Sequence, residues 1–557
     1  MQLFKRVNIA VLSLLTTGVL LTNCKNDESP APALSITGVN PASAPVGTDI
    51  TISGTEFGTN ASNVTVTFTG NVTSTPKTVT TTSITTTVPA GAQDGPITVK
   101  VGDKTATSSS NFTLSTKPVV EVSGRITANT TWTAGNVYLL KGYVYVNSGV
   151  TLTIQPGTII KGGGKELDPN ARAATLIITK GAKIMAEGTE TQPIVFTSSK
   201  PAGSRNYGDW GGVVIAGNGT HNQITQKDFE GGIEGNLAPS ANLVATDNSG
   251  SLKYVRIEFA GVALSAATNS EINGLTFYGV GSGTTVDYVQ VSYSGDDAFE
   301  WFGGSVNAKH LVAYRTWDDD FDTDFGYNGK VQYALALRDP EYADQSFSNG
   351  FESDNQGGDG TNSGVVPEPM TSPVFANVSI FGTSGTPTNA TIKGNGGYQS
   401  AMHLRRATSL SVFNSLFVGF PEGLRLDNVT TLPNTVGNPS SMQIRKVILA
   451  NVNTPVRGGN NLTDAQAQTF FNTTAFANQI IAAANVSTLA LNDNNWKLDG
   501  TASFLPKTGS PLLTGAVWTD KASDAFFTKE TFIGAFGTTN WTANWTNFNP
   551  QNTNYDK

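Results

Sequence analysis

The sequence is poor in the two residues that build thiol and zinc sites. Among its 557 residues there are one cysteine and three histidines, His221, His310 and His403. A single cysteine cannot form a disulfide within the chain. Zinc sites and nucleophilic thiols draw on Cys and His together. The sequence therefore predicts neither kind of site.

Charge is also scarce, and no part of the chain is strongly basic. Charged residues make up 14% of the sequence, with 35 basic and 43 acidic side chains and a net charge of -8. Outside the first six residues there is no basic run of the kind that follows a phosphate backbone. Nucleic acid is therefore not an expected partner.

Glycine and β-forming residues are abundant instead. There are 59 glycines, and Thr, Ser, Asn and Val recur in short alternating runs. This composition favours strands joined by tight turns over helices. The length allows two to four ordinary domains, or one small domain followed by a long repetitive body. We predict an all-β protein.

The first residues have the pattern of a processing signal. Lys5 and Arg6 precede an apolar stretch, 7–21, that is too short to cross a bilayer comfortably, and Leu-Thr-Asn-Cys follows. Residues 1–23 resemble a bacterial lipoprotein signal peptide. The resemblance implies that Cys24 becomes the lipid-bearing first residue of the mature chain.

The residues after this cysteine indicate where the protein is sent. Asp27 and Glu28 resemble the acidic export tag that Bacteroidetes lipoproteins use to reach the outer face of the outer membrane. Residues 24–32 contain Pro and Ser and suit a tether. The expected location is the outer membrane, with the protein exposed at the cell surface.

A distinct unit follows at 33–115. It opens with ALSITGVNPASAPVGTDITISGTEFG, in which a strand, a Pro-Gly turn, a second strand and a Gly follow in order. Runs such as 50–52 and 64–68 alternate and can build a two-sheet core. The unit resembles an IPT/TIG domain, an Ig-like β-sandwich. That family provides spacers and binding modules, and the spacer is favoured here because no aromatic cluster or charge constellation marks a face.

From residue 119 the chain consists of short β-branched runs punctuated by Gly, at a spacing of roughly 20 residues. Parallel strands need a crossover, and in a coiled solenoid the next turn of the coil provides it. The spacing favours a solenoid over the four-stranded antiparallel blades of a propeller. Residues 119–515 resemble a right-handed parallel β-helix of the pectin-lyase-like group.

One segment of this body repeats without a gap, and the repeat carries acids. YVQVSYSGDDAFEWFGG (288–304) aligns with HLVAYRTWDDDFDTDFG (310–326). The strand pattern also occurs at 254–261, where the acids are missing. The alignment pairs Asp296 with Asp318, Asp297 with Asp319, Phe299 with Phe321, Glu300 with Asp322 and Gly304 with Gly326.

In a coil these paired acids would lie one strand spacing apart, at ~4.8 Å. Like charges opposed at that distance cost roughly 1 to 3 kcal/mol per pair. Protonation, a neighbouring cation from Lys309, Arg315 or Lys330, or a divalent metal would relieve the cost. An oxygen-rich set suits Ca²⁺. The predicted metal ligands are Asp296, Asp297, Glu300, Asp318, Asp319 and Asp322; structural Asp turns with salt bridges are the alternative.

A catalytic hypothesis stays open beside the metal site. The tandem Asp after Gly295 is similar to the acid pair of polygalacturonases, although the Gly-His-Gly and Arg-x-Lys steps of that family are missing here. Polysaccharide lyases of the same fold use Ca²⁺ with an Arg or Lys base, a place that Arg405 and Arg406 in MHLRRAT fill only by analogy. The candidate catalytic residues are Asp296, Asp297, Asp319 and Arg405.

Other residues are predicted to lie near the acidic face. A long polar insertion at 339–373 is predicted to fold over the acids or to form a surface loop, with Glu352, Asp354 and Asp359 as added ligands. Trp301 and Trp317 lie beside the acids in sequence and are candidate sugar contacts.

The aromatic tail at 516–557, with Trp541, Trp545 and Phe548, is predicted to cap the end of the solenoid.

As a whole, 119–557 resembles Bacteroidetes surface lipoproteins of unassigned biochemical role. We expect a lipid-anchored surface protein that binds a glycan or another surface component through an acidic, Ca²⁺-binding face. One alternative is a polysaccharide lyase or glycoside hydrolase. The other is a purely structural, adhesin-like stalk.

Overall fold

The computed structural model describes residues 33–89, 91–115, 117–239, 242–265, 270–355, 366–389, 393–394 and 396–555. The predicted signal peptide and tether, with Cys24, lie outside these residues. The described chain is built almost entirely of strands, so the all-β prediction is confirmed. No helix within the described ranges is long and apolar enough to cross a membrane.

The N-terminal unit is a two-sheet sandwich. One sheet has the order β1-β3-β7-β6 and the other β2-β9-β8-β4-β5, and Ile52, Phe68 and Phe112 are buried between them. Alternate residues face inward along the strands, as the sequence pattern predicts. The strands are β1 (Ser35–Asn40), β2 (Ser43–Ala44), β3 (Asp49–Thr55), β4 (Val64–Phe68), β5 (Val72–Ser74), β6 (Pro76–Val79), β7 (Ser83–Thr87), β8 (Gly95–Val101) and β9 (Lys104–Leu114).

The rest of the chain coils into a parallel β-helix whose rungs form one 24-stranded sheet. Its first strands are β10 (Val119–Ile126), β11 (Thr130–Trp132), β12 (Val137–Val146), β13 (Thr151–Ile154), β14 (Ile159–Gly162), β15 (Thr175–Ile178), β16 (Lys183–Glu187), β17 (Ile194–Ser198), β18 (Gly212–Ala216), β19 (Lys227–Asp228), β20 (Asn236–Leu237), β21 (Gly250–Glu258), β22 (Val262–Ser265), β23 (Ser270–Ile272) and β24 (Leu275–Val280).

The later strands are β25 (Thr285–Ser292), β26 (Phe299–Gly304), β27 (Asn307–Tyr314), β28 (Phe321–Asp324), β29 (Lys330–Leu337), β30 (Tyr342–Ala343), β31 (Phe351–Ser353), β32 (Val374–Phe381), β33 (Lys393–Gly394), β34 (Ser400–Leu404), β35 (Ser411–Val418), β36 (Glu422–Asp427), β37 (Ile444–Ala450), β38 (Thr454–Gly459) and β39 (Gln479–Ile481). The one α-helix within the described ranges is α1 (Asp464–Phe471), and short 3₁₀ turns complete the tail. The pairs β19–β20, β22–β23 and β30–β33 belong to excursions of the chain and form separate two-stranded sheets outside the 24-stranded sheet.

From β21 onward, most rungs combine a long strand and a short one. The long strand bends at a residue with positive φ, so its two halves belong to different faces, and the short strand forms the third face. We call the bend residues the corner column: Tyr254, Tyr288, His310, Tyr333, Asn377, Asn414 and Lys446.

The predicted register is confirmed for the acid-bearing rungs. Phe299 pairs with Phe321 and Glu300 with Asp322 in adjacent parallel strands. The upstream repeat also aligns as predicted, with β21 paired to β25. The phenylalanines point into the coil and stack with ring centroids 5.7 Å apart. Strand alternation therefore places the acids on the outer face.

The insertion predicted at 339–373 is wrong as a single loop, because it contains a rung. Phe351–Ser353 forms β31 and pairs with β28 on one side and β34 on the other. Phe351 continues the inner phenylalanine stack, with a centroid 5.3 Å from that of Phe321. Because the residues around it are polar, the sequence pattern does not identify this short strand. The predicted insertion is therefore interrupted by a strand of the coil, and its Asp359 lies outside the described residues.

The tail does not cap the end of the coil, so that prediction is wrong. Trp545 packs edge-on against Tyr254 and Tyr288, and Phe548 against Tyr314, all of which are on the flank of the coil. Helix α1 instead packs on β38, near the last rung. The large side chains of the corner column project from the flank, and the tail covers them in part.

Candidate cation-binding site

Three carboxylates stand above one another on the outer face of the short-strand sheet. Glu300 on β26 pairs with Asp322 on β28, and Asp322 pairs with Glu352 on β31. We call these three residues the acid column. The neighbouring rungs place Thr276 before the column and His403 after it. The column thus runs from a neutral side chain through three acids to a basic one.

The acid column forms one wall of a polar cavity of about 360 Å³, which we call the acidic recess. Its other walls come from the turns that precede the short strands and from Glu230, Glu271 and Ser346. Its lining residues are Glu230, Glu271, Asn273, Asp296, Asp297, Glu300, Asp318, Asp319, Asp322, Ser346, Glu352, Arg405 and Arg406. Nine carboxyl groups therefore face two guanidinium groups.

The turns before the short strands are joined by a ladder of side-chain acceptors. Asn273 Oδ1 accepts the backbone N–H of Asp297 at 3.2 Å, and Asp297 Oδ1 accepts the N–H of Asp319 at 2.9 Å. Asp319 Oδ1 accepts the N–H of Asn349, and Asn349 Oδ1 accepts that of Ser400 at 3.0 Å. Asp297 and Asp319 thus have a structural task in addition to lining the recess.

Burial and mutual repulsion oppose ionisation of most of these acids. The pKa of Asp297 is held well above its usual range by burial and then by Asp296 and Asp319, and the pKa of Asp322 is raised by burial and then by Glu352. Burial, followed by the charge of Asp344, raises the pKa of Asp318 to about 7. Full ionisation of this set therefore needs a compensating positive charge in the recess.

Glu352 is the exception, because basic side chains surround it. Burial opposes its ionisation, but Arg405 and His403 outweigh burial and lower its pKa to about 2. The guanidinium of Arg405 donates to Glu352 and, at 2.9 Å, to Asp354 Oδ1. Arg406 donates to the other oxygen of Asp354 at 2.5 Å. At β31 the recess therefore has carboxylates paired with basic side chains, which we call its compensated end. At β26 and β28, its uncompensated end, the acids have no such basic partner among the lining residues.

The donor set fits a hard divalent cation. Three groups of acids bring one oxygen per residue within 4.8 Å of one another: Asp296, Asp297 and Asp318; Asp297, Glu300 and Asp322; Asp319, Asp322 and Glu352. Oxygen-only sets with flexible geometry are those that Ca²⁺ prefers.

Several of these oxygens lack any other partner. The buried Oδ1 atoms of Asp318 and Asp322 have none. The carboxylate of Asp296 is also without a hydrogen bond or ion pair to any described residue, although the residue is only 7% exposed. A buried unpaired carboxylate is costly, and a bound cation removes that cost. All six predicted metal ligands lie in the recess.

The predicted sugar contacts are not in the recess. Trp301 is fully buried and stacks between Phe277 and Tyr327, with centroids at 5.8 and 5.3 Å. The prediction for Trp301 is wrong because it follows Glu300 on a strand, and adjacent residues face opposite sides. Trp317 is half-buried against Tyr207 and does not line the recess.

The side chains expected to offset the acids are paired elsewhere. Lys309 donates to the hydroxyl of Thr528, Arg315 pairs with Asp339, and Lys330 with Asp524 at 3.0 Å. None of the three lines the recess. They are near the acids in sequence but belong to the long strand of each rung or its end, whereas the acids belong to the short strand or the turn before it.

Sequence reasoning missed the residues that reach the recess from outside the repeat. Glu230 and Glu271 come from excursions with no repeat pattern, whereas Arg406, considered with Arg405 by analogy, also lines the recess. It also missed a fully buried ion pair, Asp320 with Arg338, whose charged atoms are 3.1 Å apart. A signal for this pair existed, since Asp320 aligns with Ala298 and is the unmatched acid of WDDDFD.

Comparison with known proteins agrees with this architecture. The family model described as "Pectate-lyase like beta helix domain" matches residues 124–498, and the "IPT/TIG domain" model matches 34–116. The two predicted resemblances are thereby confirmed. No curated protein matches the chain.

Two solved structures show short matches. One is an auxiliary nutrient binding protein from Bacteroides thetaiotaomicron, with 25% identity, a TM-score of 0.15 and coverage of 15% of this chain and 21% of that one. The other is an auxiliary nutrient binding protein from Bacteroides ovatus, with 24% identity, a TM-score of 0.15 and coverage of 16% and 22%. The chain thus spans about a fifth of the length of either protein. Matches this short carry no inference about function.

Proposed function

The chain belongs to the pectate-lyase-like β-helix family, and on that premise we propose that its acidic recess binds divalent cations and, through them, an anionic glycan. The observation that carries this proposal is the set of buried, unpaired carboxylate oxygens on three overlapping groups of acids. Among the described lining residues, nine carboxyls against two arginines leave an excess of negative charge, which protonation or bound cations can offset.

The two arginines suggest which ligands the loaded recess would accept. Arg405 and Arg406 lie at its compensated end, beside the position where cations would sit. Guanidinium groups bind carboxylates and sulfates in a defined geometry. A cation and two arginines in one recess would together attract a polyanionic sugar chain. The ligand class is therefore a glycan with carboxylate or sulfate groups.

The surroundings of the candidate catalytic residues favour binding over cleavage. Arg405 keeps its proton, since Glu352 and Asp354 outweigh the burial that would lower its pKa, and a protonated guanidinium is not a base. Inverting hydrolases separate their carboxyls by roughly 6.5 to 9.5 Å to admit a water. Here the oxygens of Asp296 and Asp297 lie within 4.8 Å of each other, which suits a shared cation.

The experiment measures cation binding and glycan binding on the same preparation. Calcium is titrated calorimetrically into the chelator-treated protein, and polygalacturonate is then tested as the polyanionic probe with Ca²⁺ or with EDTA. Asp322→Asn removes a carboxylate that belongs to two of the three acid groups. Asp103→Asn, at an exposed position on the sandwich, is the matched control.

We expect Ca²⁺ binding that Asp322→Asn weakens and Asp103→Asn leaves unchanged, and polygalacturonate binding that EDTA abolishes. Absence of calcium binding would overturn the proposal. Calcium binding without polyanion binding would limit the recess to a structural cation site, consistent with a stalk. New reducing ends or unsaturated products in the same mixture would replace binding with cleavage.

We also propose that Cys24 carries a lipid that holds the protein at the outer membrane, surface-exposed. The support is the signal-like sequence before it and the acidic residues Asp27 and Glu28 after it. Cys24→Ala should move the protein from the membrane fraction to the soluble fraction, and protease added to intact cells should degrade the wild type. Retention of Cys24→Ala in the membrane fraction would overturn the lipid assignment.

A further inference from the structure

A second cavity lies on the flank of the coil, where the tail leaves it. At two rungs of the corner column the residue is asparagine, and its side chain fastens the tail. Asn377 donates to the carbonyl of Phe532 at 3.0 Å, and Asn414 donates to that of Val517 at 2.8 Å. The two asparagines of the corner column thus bind the backbone of the tail.

At the four earlier rungs the corner residue is aromatic instead, and three of these residues line the cavity. His310 stacks between Tyr288 and Tyr333, with centroids 4.0 and 4.7 Å away and rings within 11° of parallel. Within the described chain, residues 536–543 of the tail donate no hydrogen bond to the coil and accept none. A cavity of about 400 Å³ opens between the stacked rings and this part of the tail.

The lining of this flank cavity combines aromatic rings with hydroxyls and one carboxylate. Its residues include Tyr288, His310, Tyr333, Glu530, Thr539 and Trp541. The ring of Trp541 closes one side, with its centroid 5.2 Å from that of His310. Glu530 Oε1 accepts the hydroxyl of Tyr333 at 2.7 Å, and its second oxygen accepts no hydrogen bond from a described residue.

We propose that the flank cavity binds an uncharged sugar, such as a neutral pyranose residue of a glycan. A pyranose has an apolar C–H face, which suits aromatic rings, and a rim of hydroxyls, which suits Glu530 and the threonines. No Lys or Arg side chain is among the cavity's lining residues, and Glu530 would repel an anion. The flank cavity is therefore proposed to bind a neutral ligand, whereas the acidic recess is proposed to bind cations and an anionic glycan.

The two sites are independent in structure. They have no lining residue in common, and no aromatic side chain lines the acidic recess. The recess lies on the short-strand face, whereas the flank cavity lies at the corner of the long strand. Binding at the flank cavity should therefore need no cation, and the test is made in EDTA so that it does not depend on the recess.

The test uses the full protein with cellohexaose, xylohexaose, mannohexaose and maltohexaose as probes, measured by calorimetry and by tryptophan fluorescence. Trp541→Ala removes the closing ring. Thr539→Trp, at an exposed position, fills the cavity and keeps Trp541. Phe526→Ala, an aromatic of the same tail that packs against Phe527 outside the cavity, is the matched control. Thermal unfolding confirms that each variant is folded.

We expect at least one neutral probe to bind in EDTA. Trp541→Ala and Thr539→Trp should each weaken that binding by roughly tenfold, and Phe526→Ala should leave it unchanged. If Trp541→Ala does not fold, Thr539→Trp decides. The proposal is overturned if none of the four probes binds, if binding survives Thr539→Trp, or if only polygalacturonate binds under these conditions.

Discussion

The backbone N–H of Asp319 donates to Oδ1 of Asp297 across 2.9 Å, joining two rungs that are 22 residues apart in sequence. The neighbouring steps of this ladder use Asn273 and Asn349, whose amide oxygens accept in the same way. An asparagine at this position can therefore accept the same bond as an aspartate. The ladder does not require a carboxylate, and the carboxylate of Asp297 also lines the recess.

This dual role predicts opposite effects for two substitutions of Asp297. Asp297→Asn keeps the acceptor and removes a charge that other carboxylates repel, so the chelator-treated protein should become more stable. Asp297→Ala leaves the buried N–H of Asp319 unpaired and should lower the free energy of unfolding by about 1 to 3 kcal/mol. Denaturant unfolding in EDTA measures both. Both variants should bind Ca²⁺ more weakly than the wild type.

A stabilising effect of Asp297→Ala would show that the ladder bond contributes little. Asn349→Asp is the reverse substitution at another step of the ladder. It keeps an acceptor there and adds a charge near Glu352. It should destabilise the chelator-treated protein, because the added carboxylate joins an already repulsive set.

The register of the acid-bearing rungs could be predicted from sequence for two reasons. The repeat has no gap, and its alternating apolar and acidic residues show which positions face inward and which face outward. Phe299 and Phe321 point inward and the acids outward, as alternation requires. The same alternation, applied to Glu300 and its neighbour Trp301, would have excluded Trp301 as a ligand contact. The far walls of the recess could not be predicted, because Glu230 and Glu271 belong to excursions without a repeat.

The overlap of the acid groups predicts more than one bound cation. Asp297 belongs to two of the three groups and Asp322 to two, so each can bridge neighbouring ions. Calorimetric titration with Ca²⁺, with bound metal counted independently by elemental analysis, should give a stoichiometry above one per chain. Asp322→Asn should lower that number, whereas Asp296→Asn, which alters a single group, should have a smaller effect. A stoichiometry of one in the wild type would contradict this prediction.

The raised pKa values predict how stability depends on pH when no cation is bound. An unfolded aspartate loses its proton near pH 4, whereas burial raises the pKa of Asp318 to about 7 and that of Glu230 to about 7. Between these values the native state binds more protons than the unfolded state, so the free energy of unfolding falls as pH rises. Glu352 titrates below this window, since its pKa is about 2.

In EDTA, the unfolding temperature should therefore fall between pH 5 and pH 8, and Asp318→Asn should reduce the fall. Saturating Ca²⁺ should reduce it further, because a ligand that binds the ionised native state favours that state. Differential scanning calorimetry at constant ionic strength measures the trend. Stability that rises over this interval would show that the acids are neutralised by partners within the chain.

The buried position of Trp301 predicts a loss of stability without a loss of ligand binding. Trp301→Ala removes a fully buried indole from the stack with Phe277 and Tyr327 and should cost about 3 to 5 kcal/mol. At a temperature where the variant remains folded, its affinity for polygalacturonate in Ca²⁺ should equal that of the wild type. A selective loss of glycan affinity would return Trp301 to the ligand site.

Arg405 should affect the two proposed ligands in opposite directions. Its guanidinium donates to Glu352 and Asp354, so it weakens the local negative potential and also offers charge to an anionic sugar. Arg405→Gln should therefore tighten Ca²⁺ binding, because one competing positive charge is gone, and weaken polygalacturonate binding by roughly tenfold at saturating Ca²⁺. Arg457→Gln is the matched control: Arg457 pairs with Glu422 at 2.6 Å, outside the recess, and neither affinity should change. If Arg405→Gln weakened both ligands equally, the arginine would act by holding the acid column in place, and the anionic glycan would have to be bound by the cations alone.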